Sequence, residues 1–166
     1  METIPAYLDL PKTHVQALRW LFDNVPPDKL PWVLSGSGCL RLHGVDIPVH
    51  DLDIITDEQT IYHIQQRFGN KMRVYVHDWE TEGMRSLDGK ADIEGIQIEL
   101  MANFAHMRED GTWGSDIDLS HAILIETQGL QVPAFPLEDE LAAYTAMGRM
   151  EKVALIRKTI ARRSIR

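Results

Sequence analysis

An internal disulfide is closed to this chain, because Cys39 is its only cysteine and a bridge needs two. No apolar run approaches the roughly 20 residues of a membrane-spanning helix. The start, Met1-Glu2-Thr3-Ile4-Pro5, has neither the basic segment nor the apolar stretch of a secretory leader. Positive charge is scarce: 17 Lys and Arg stand against 25 Asp and Glu, a formal net charge of −8. Residues 149–166 hold seven of those bases and one acid, which leaves −14 on the rest. A body that acidic repels nucleic-acid backbones. Internal repeats and low-complexity tracts are missing as well. A cytoplasmic protein without a membrane or long nucleic-acid partner is expected. Its 166 residues suit one domain, 1–166, with a C-terminal helical pair over 136–166 packed on it.

What the chain does contain centres on residues 32–56. The apolar run Trp32 to Leu34 stops at Ser35-Gly36-Ser37-Gly38, the composition of a strand running into a tight turn. Cys39, Leu40, Leu42 and His43 then allow a short helix, with Gly44 as its stop. In Asp51-Leu52-Asp53-Ile54-Ile55 the period of two puts both aspartates on one strand face and Leu52 and Ile54 on the other. Same-face neighbours lie roughly 6.5–7 Å apart, where like charges repel by about 2–3 kcal/mol at an effective dielectric near 20. Such a pair calls for a counter-charge.

Elsewhere the pattern predicts a first helix capped by Thr13 and ended by Val25-Pro26-Pro27, and a further helix over 58–68, capped by Thr56 or Asp57. Met72 to His77 reads as a strand with Val74 and Val76 inward. From His77 to Ala91 the text is polar and irregular, a loop with at most a short strand near Met84 to Leu87. Ala91 to Phe104 reads as a hairpin turning at Glu94-Gly95, and Ala122 to Val132 as another around Gln128-Gly129. Pro133 and Pro136 close the sheet portion. Two helices, 137–147 and 149–163, meet at Gly148, the second with Val153, Ile156 and Ile160 inward. The expected fold is α/β: a mixed sheet of about five strands, helices on one face and an open acidic cleft on the other.

A Gly-Ser turn, Gly36-Ser37, followed by a strand with Asp51-Leu52-Asp53 resembles the nucleotidyltransferase fold superfamily, in particular its small stand-alone bacterial members. The resemblance runs from about Trp32 to Asn103, with a looser echo in Pro136-Leu137-Glu138-Asp139-Glu140 and Gly148-Arg149. It implies a third acid on a later strand, where Glu99 stands. It also implies that Asp51, Asp53 and Glu99 bind magnesium, with manganese as a substitute, and that Glu99 acts on the acceptor hydroxyl. The implied reaction moves a nucleoside monophosphate from a nucleoside triphosphate co-substrate to a hydroxyl and releases pyrophosphate.

The residues themselves suit that chemistry. A helix N-terminus behind small residues offers free amides and a positive dipole end to phosphates, which makes Gly36 and Ser37 candidate nucleotide contacts. Arg41, four residues on and so on the same helix face, is a third. Magnesium prefers oxygen ligands bridging carboxylates and phosphates. The acidic body suits a small cationic acceptor such as an aminoglycoside-like compound, or a hydroxyl on a partner protein of the toxin type. A homodimer is a further possibility. The competing class keeps the fold as a binding module or antitoxin with a vestigial site; relatives often carry a lysine in the penultimate helix, and residues 141–147 have none.

Other motifs fail on context. Gly36-x-Gly38 lacks the later glycine of a dinucleotide fingerprint, since position 41 is arginine, and no Walker A is present. Gly114-Ser115-Asp116-Ile117-Asp118 mimics the family wording, yet it leaves no room for a helix between turn and acids and reads as a polar loop. His50, beside Asp51, is a candidate tuning residue. The basic C-terminal segment reads as a solvated helix end, or as an arm that folds back.

Overall fold

The computed structural model describes residues 1–115 and 117–164. In chain order the elements are β1 (Thr3–Pro5), α1 (Lys12–Asn24), β2 (Trp32–Ser35), α2 (Gly36–Leu42), β3 (Leu52–Thr56), α3 (Glu58–Phe68), β4 (Met72–Thr81), β5 (Met84–Ile93), β6 (Ile96–Met107), β7 (Trp113–Gly114), β8 (Ile123–Thr127), β9 (Leu130–Ala134), α4 (Leu137–Ala146) and α5 (Met150–Ser164). All strands join one mixed sheet in the order β1-β8-β9-β2-β3-β6-β5-β4, with β7 paired to β6. The sheet therefore has nine strands where the pattern suggested about five.

The missed strands are those that pattern cannot show. β1 and β7 are three and two residues long, too short for any period. The strand expected over Met72 to His77 is present but runs on to Thr81 as β4, and β5 returns along it, so a hairpin of two ten-residue strands replaces the loop expected from His77 to Ala91. Nearly all of β4 is exposed, so its side chains face water on both sides and carry no alternation. Val74 is 40% exposed rather than inward, because register shifts on either side of it interrupt the pleat. Pro133 lies inside β9, opposite Leu124, and does not end the strand.

Where the period was clean, the core follows it. Leu52 and Ile54 are buried among Leu18, Leu21, Leu34, Ile61, Ile64 and Phe68, and each such side chain contributes about 1.5–3 kcal/mol. Asp57 caps α3, accepting the Thr60 amide at 2.7 Å. Helix α1 instead begins at Lys12 behind Pro11, without a side-chain cap, so Thr13 lies inside it; the fixed φ of proline pre-sets such a start.

Helices α1 and α3 contact β6 and share the core of Leu52 and Ile54. A second cluster joins α2, α4 and α5 through Leu40, Val45, Ile47, Leu137, Tyr144, Val153 and Ile156. Helix α4 borders a cleft on the face that carries Asp53 and Ile55, so helices are not confined to one side. The basic end of α5 folds back on the chain start: Arg163 lies 4.0 Å over the Tyr7 ring and donates to the His43 carbonyl. Among the described residues no helix is long and apolar enough to cross a membrane.

Candidate active site

Strand register sets out the site. Ser35 stands opposite Asp53 in the antiparallel β2–β3 pair, Asp53 opposite Glu99 in the parallel β3–β6 pair, and Glu99 opposite Lys90 in the antiparallel β5–β6 pair. Directly opposed residues share a face, so one row of polar side chains crosses four strands spaced about 4.8 Å apart. Lys90 Nζ lies 3.7 Å from Glu99 Oε1. That ammonium is the protein's own counter-charge to the acids.

The β2–α2 turn presses on this row. Gly36 has φ +70°, and a Cβ built there would overlap Asp53 Oδ2. Both the left-handed backbone and the close approach therefore require glycine. Burial first, then the neighbouring Glu99 carboxylate, then Asp51 and Glu140 push Asp53 up from 3.8 to about 7. Asp51 comes just before β3 and accepts Gln97 Nε2 at 3.0 Å.

On the opposite wall, Glu140 projects from the first turn of α4 and is 2% exposed. Its Oε1 accepts the Ser35 hydroxyl at 2.7 Å, while the Cys39 thiol donates to the Phe135 carbonyl at 3.3 Å. Burial pushes Glu140 up from 4.5 to about 7, against the opposing pull of Ser35, Cys39 and the Gly36 amide. Burial together with Glu140 also raises the Tyr144 hydroxyl.

Between these walls lies a cleft of about 530 Å³, lined by Gly36, Asp53 and Glu99, by Glu140 and Tyr144 of α4, by Gly83 and Met84 at the tip of the β4–β5 hairpin, and by Arg149. Among the described residues Arg149 is the one Lys or Arg lining it, with its guanidinium 5.2 Å from the Tyr144 ring centroid. A second hollow of about 720 Å³ adjoins it through Ile55, Phe104 and Ile117, and holds Asp57, Glu58, Asp78, Glu80 and Trp79. The larger hollow lacks the opposed acids, which the smaller one carries.

The structure thus brings Gly36, Asp53 and Glu99 together around one cleft and places Asp51 beside them. Asp51, Ser37 and Arg41 do not themselves line the cleft. Arg41 donates to the Asp9 carbonyl at 2.7 Å and pairs with Asp46 at 3.2 Å. Of the look-alike motif, Asp116 lies outside the described residues. Asp118 accepts the Ser120 amide and hydroxyl at 2.9 and 2.6 Å, capping a short 3-10 turn. Among the described residues no group of three His, Cys, Asp or Glu stands ready to hold a metal ion. The all-oxygen set of Asp53 and Glu99 still fits a hard divalent cation, and a cation there would relieve the like-charge pressure on Asp53.

A family model described as aminoglycoside-2''-adenylyltransferase matches residues 17–156. The chain belongs to that family. The match runs from α1 into α5 and takes in Gly36, Asp53, Glu99, Glu140 and Arg149 alike. A solved structure from Thermotoga maritima, described as that of a candidate nucleotidyltransferase, superposes with a TM-score of 0.80 at 34% identity, covering 94% of this chain and 98% of the other. No curated protein matches the chain. Family and structural neighbour together support nucleotidyl transfer as the general class of activity. Sequence reasoning took Glu140 and Arg149 into the looser echo of the family resemblance but gave neither a role in the site. An acid in the first turn of a helix is explained by the dipole alone, and an arginine after Gly148 by solvent.

Proposed function

We propose that this chain transfers a nucleoside monophosphate from a nucleoside triphosphate to a hydroxyl of a small cationic molecule, with a divalent cation such as magnesium. The observation that carries the reading is the opposition of Asp53 and Glu99 in one row, beside a turn where only glycine fits. Asp53 and Glu99, with Asp51 beside them, would hold the cation. When bound it supplies charge neutralisation and a lowered pKa at the attacking hydroxyl.

The chain's own residues do the rest. Gly36 lets the triphosphate approach backbone, and Arg149, the one Lys or Arg lining the cleft among the described residues, offers the charge that a polyanion needs. The acceptor oxygen attacks the α-phosphorus, the bond to the bridging oxygen of the β-phosphate breaks, and pyrophosphate leaves. Glu99 takes the hydroxyl proton. The neighbouring hollow, lined by Asp57, Glu58, Asp78 and Glu80 against one cation, Arg85, among the described residues, gives a cationic acceptor room and net opposite charge. The family description, which names an aminoglycoside, agrees with an acceptor of that kind.

A second reading keeps the fold without transfer. It draws on Lys90 already pairing with Glu99 and on Glu140 already holding the Ser35 hydroxyl. One experiment separates the two. The protein is incubated with each labelled nucleoside triphosphate, magnesium, and a panel of amino-sugars and uncharged polyols. Pyrophosphate release with label on a cationic acceptor is the expected result. Absence of both nucleotide binding by calorimetry and pyrophosphate release, for every triphosphate, favours the binding module.

A further inference from the structure

The Ser35–Gly36 turn is gripped from two sides. On one, Gly36 lies against Asp53 so closely that a Cβ has no room. On the other, the buried Glu140 carboxylate takes the Ser35 hydroxyl at 2.7 Å and lies close enough to the Gly36 amide for that N–H to pull its pKa down. An ionisable group buried this deeply is unfavourable unless bonded, and the bond it makes ends on the turn. The proposed reaction uses Asp53, Gly36 and Glu99 and gives Glu140 no part.

We infer that Glu140 is a positioning residue. From the first turn of α4 it clamps Ser35 and Gly36 against Asp53, and so fixes both the Asp53 carboxylate opposite Glu99 and the width of the cleft between that pair and α4. It touches no reacting atom. The inference rests on the functional reading above, since positioning matters only if Asp53 belongs to the site. A glutamine in its place has one acceptor oxygen and turns an amide N–H toward a donor, so the turn must shift while the volume stays filled. Misplacement by about 1 Å lowers a rate by on the order of 10²-fold.

The test compares Glu140→Gln, Ser35→Ala and their double variant with Glu138→Gln, an exposed acid in the same helical turn. Melting temperature, kcat, nucleotide KM and amide hydrogen exchange over residues 35–38 are measured for each. Glu140→Gln should melt at or above the parent, because a buried charge is gone, yet lose at least about tenfold in kcat with KM nearly unchanged. Its Gly36 amide should exchange faster. The double variant should lose little beyond the worse single one, because both act through one contact. Glu138→Gln should change nothing. Parent-like kcat in a folded Glu140→Gln, or a loss that merely tracks melting temperature, reduces Glu140 to a helix cap and overturns the inference. If the parent transfers nothing from any triphosphate, the functional reading has failed on its own. The Gly36 exchange rate then decides about the clamp, and unchanged protection overturns it.

Discussion

Asp53 faces Glu99 across the parallel β3–β6 pair, acid against acid, at the centre of the sheet. Because Asp53 is raised from 3.8 to about 7, the folded chain binds that proton more tightly than the unfolded one. Between those two values the unfolded state releases it and the folded state keeps it, so this group's contribution to stability falls as pH rises. Asp53→Asn is neutral throughout. In metal-free buffer it should match the parent at about pH 4 and exceed it by a growing margin up to about pH 7, as read by urea unfolding. A margin that stays constant across that window means that Asp53 titrates as an ordinary acid.

Ligand binding should reverse that ranking. A ligand that binds only the native state adds roughly 2.7 kcal/mol at a hundred times its dissociation constant, a shift of about 5–10 °C for a domain of this size. Magnesium with nucleotide should give the parent that shift and Asp53→Asn little of it. Asp118→Asn should keep the shift, because the Asp118 carboxylate is engaged by Ser120 and His121. The opposite pattern moves the site to the other acid pair.

At Gly36 two penalties coincide. A left-handed backbone disfavours any side chain by roughly 1–2 kcal/mol, and the new carbon would displace Asp53. Gly36→Val should therefore weaken nucleotide binding at least about tenfold, or roughly 1.4 kcal/mol. Combining Gly36→Ala with Asp53→Ala should destabilise less than the two singly measured losses added together. Additive losses would mean that the turn and the carboxylate do not press on each other.

Arg149 is exposed and packs on Tyr144 at the rim of the cleft, so its removal should leave the fold intact. Charge-assisted hydrogen bonds contribute about 1.5–3 kcal/mol. Arg149→Ala should accordingly raise the nucleoside triphosphate dissociation constant at least about tenfold and leave that of the free nucleoside unchanged, by calorimetry. Arg149→Lys should fall between, keeping the charge and losing the fork. An equal loss for triphosphate and nucleoside would assign Arg149 to the base or sugar.

Residues 51–56 were legible because a buried strand in mid-sheet obeys its period: Leu52 and Ile54 turn inward, and Asp53 lands on the cleft face. Glu99 was reached through the family resemblance, and the register that sets it opposite Asp53 is visible only in three dimensions. Met72 to His77 was read as a strand, but its continuation to Thr81 and the hairpin it makes with β5 escaped, because a stretch wetted on both sides has no contrast to read. Glu140 hides among Glu138 and Asp139, all three suited to a helix start; burial alone sets it apart. Arg41 shows the converse limit. Its spacing from Ser37 is right, but Asp9 and Asp46 lie closer than the cleft.

The two-residue turns Glu94-Gly95 and Gln128-Gly129, with positive φ at all four positions, bear on how the chain reaches this structure. Each closes its hairpin, β5–β6 or β8–β9, over the shortest possible loop, an event on the order of 1–10 μs. The β3–β6 seam must instead wait for β3 to cross the whole β4–β5 excursion, and Glu140 must find Ser35 across 105 positions. Contacts that distant form late, since loop closure opposes them before they yield anything. On that ground the two hairpins precede the β3–β6 seam, and the repulsion between Asp53 and Glu99 enters only after them. The acid pair then opposes the closing of that seam while leaving the early hairpins untouched.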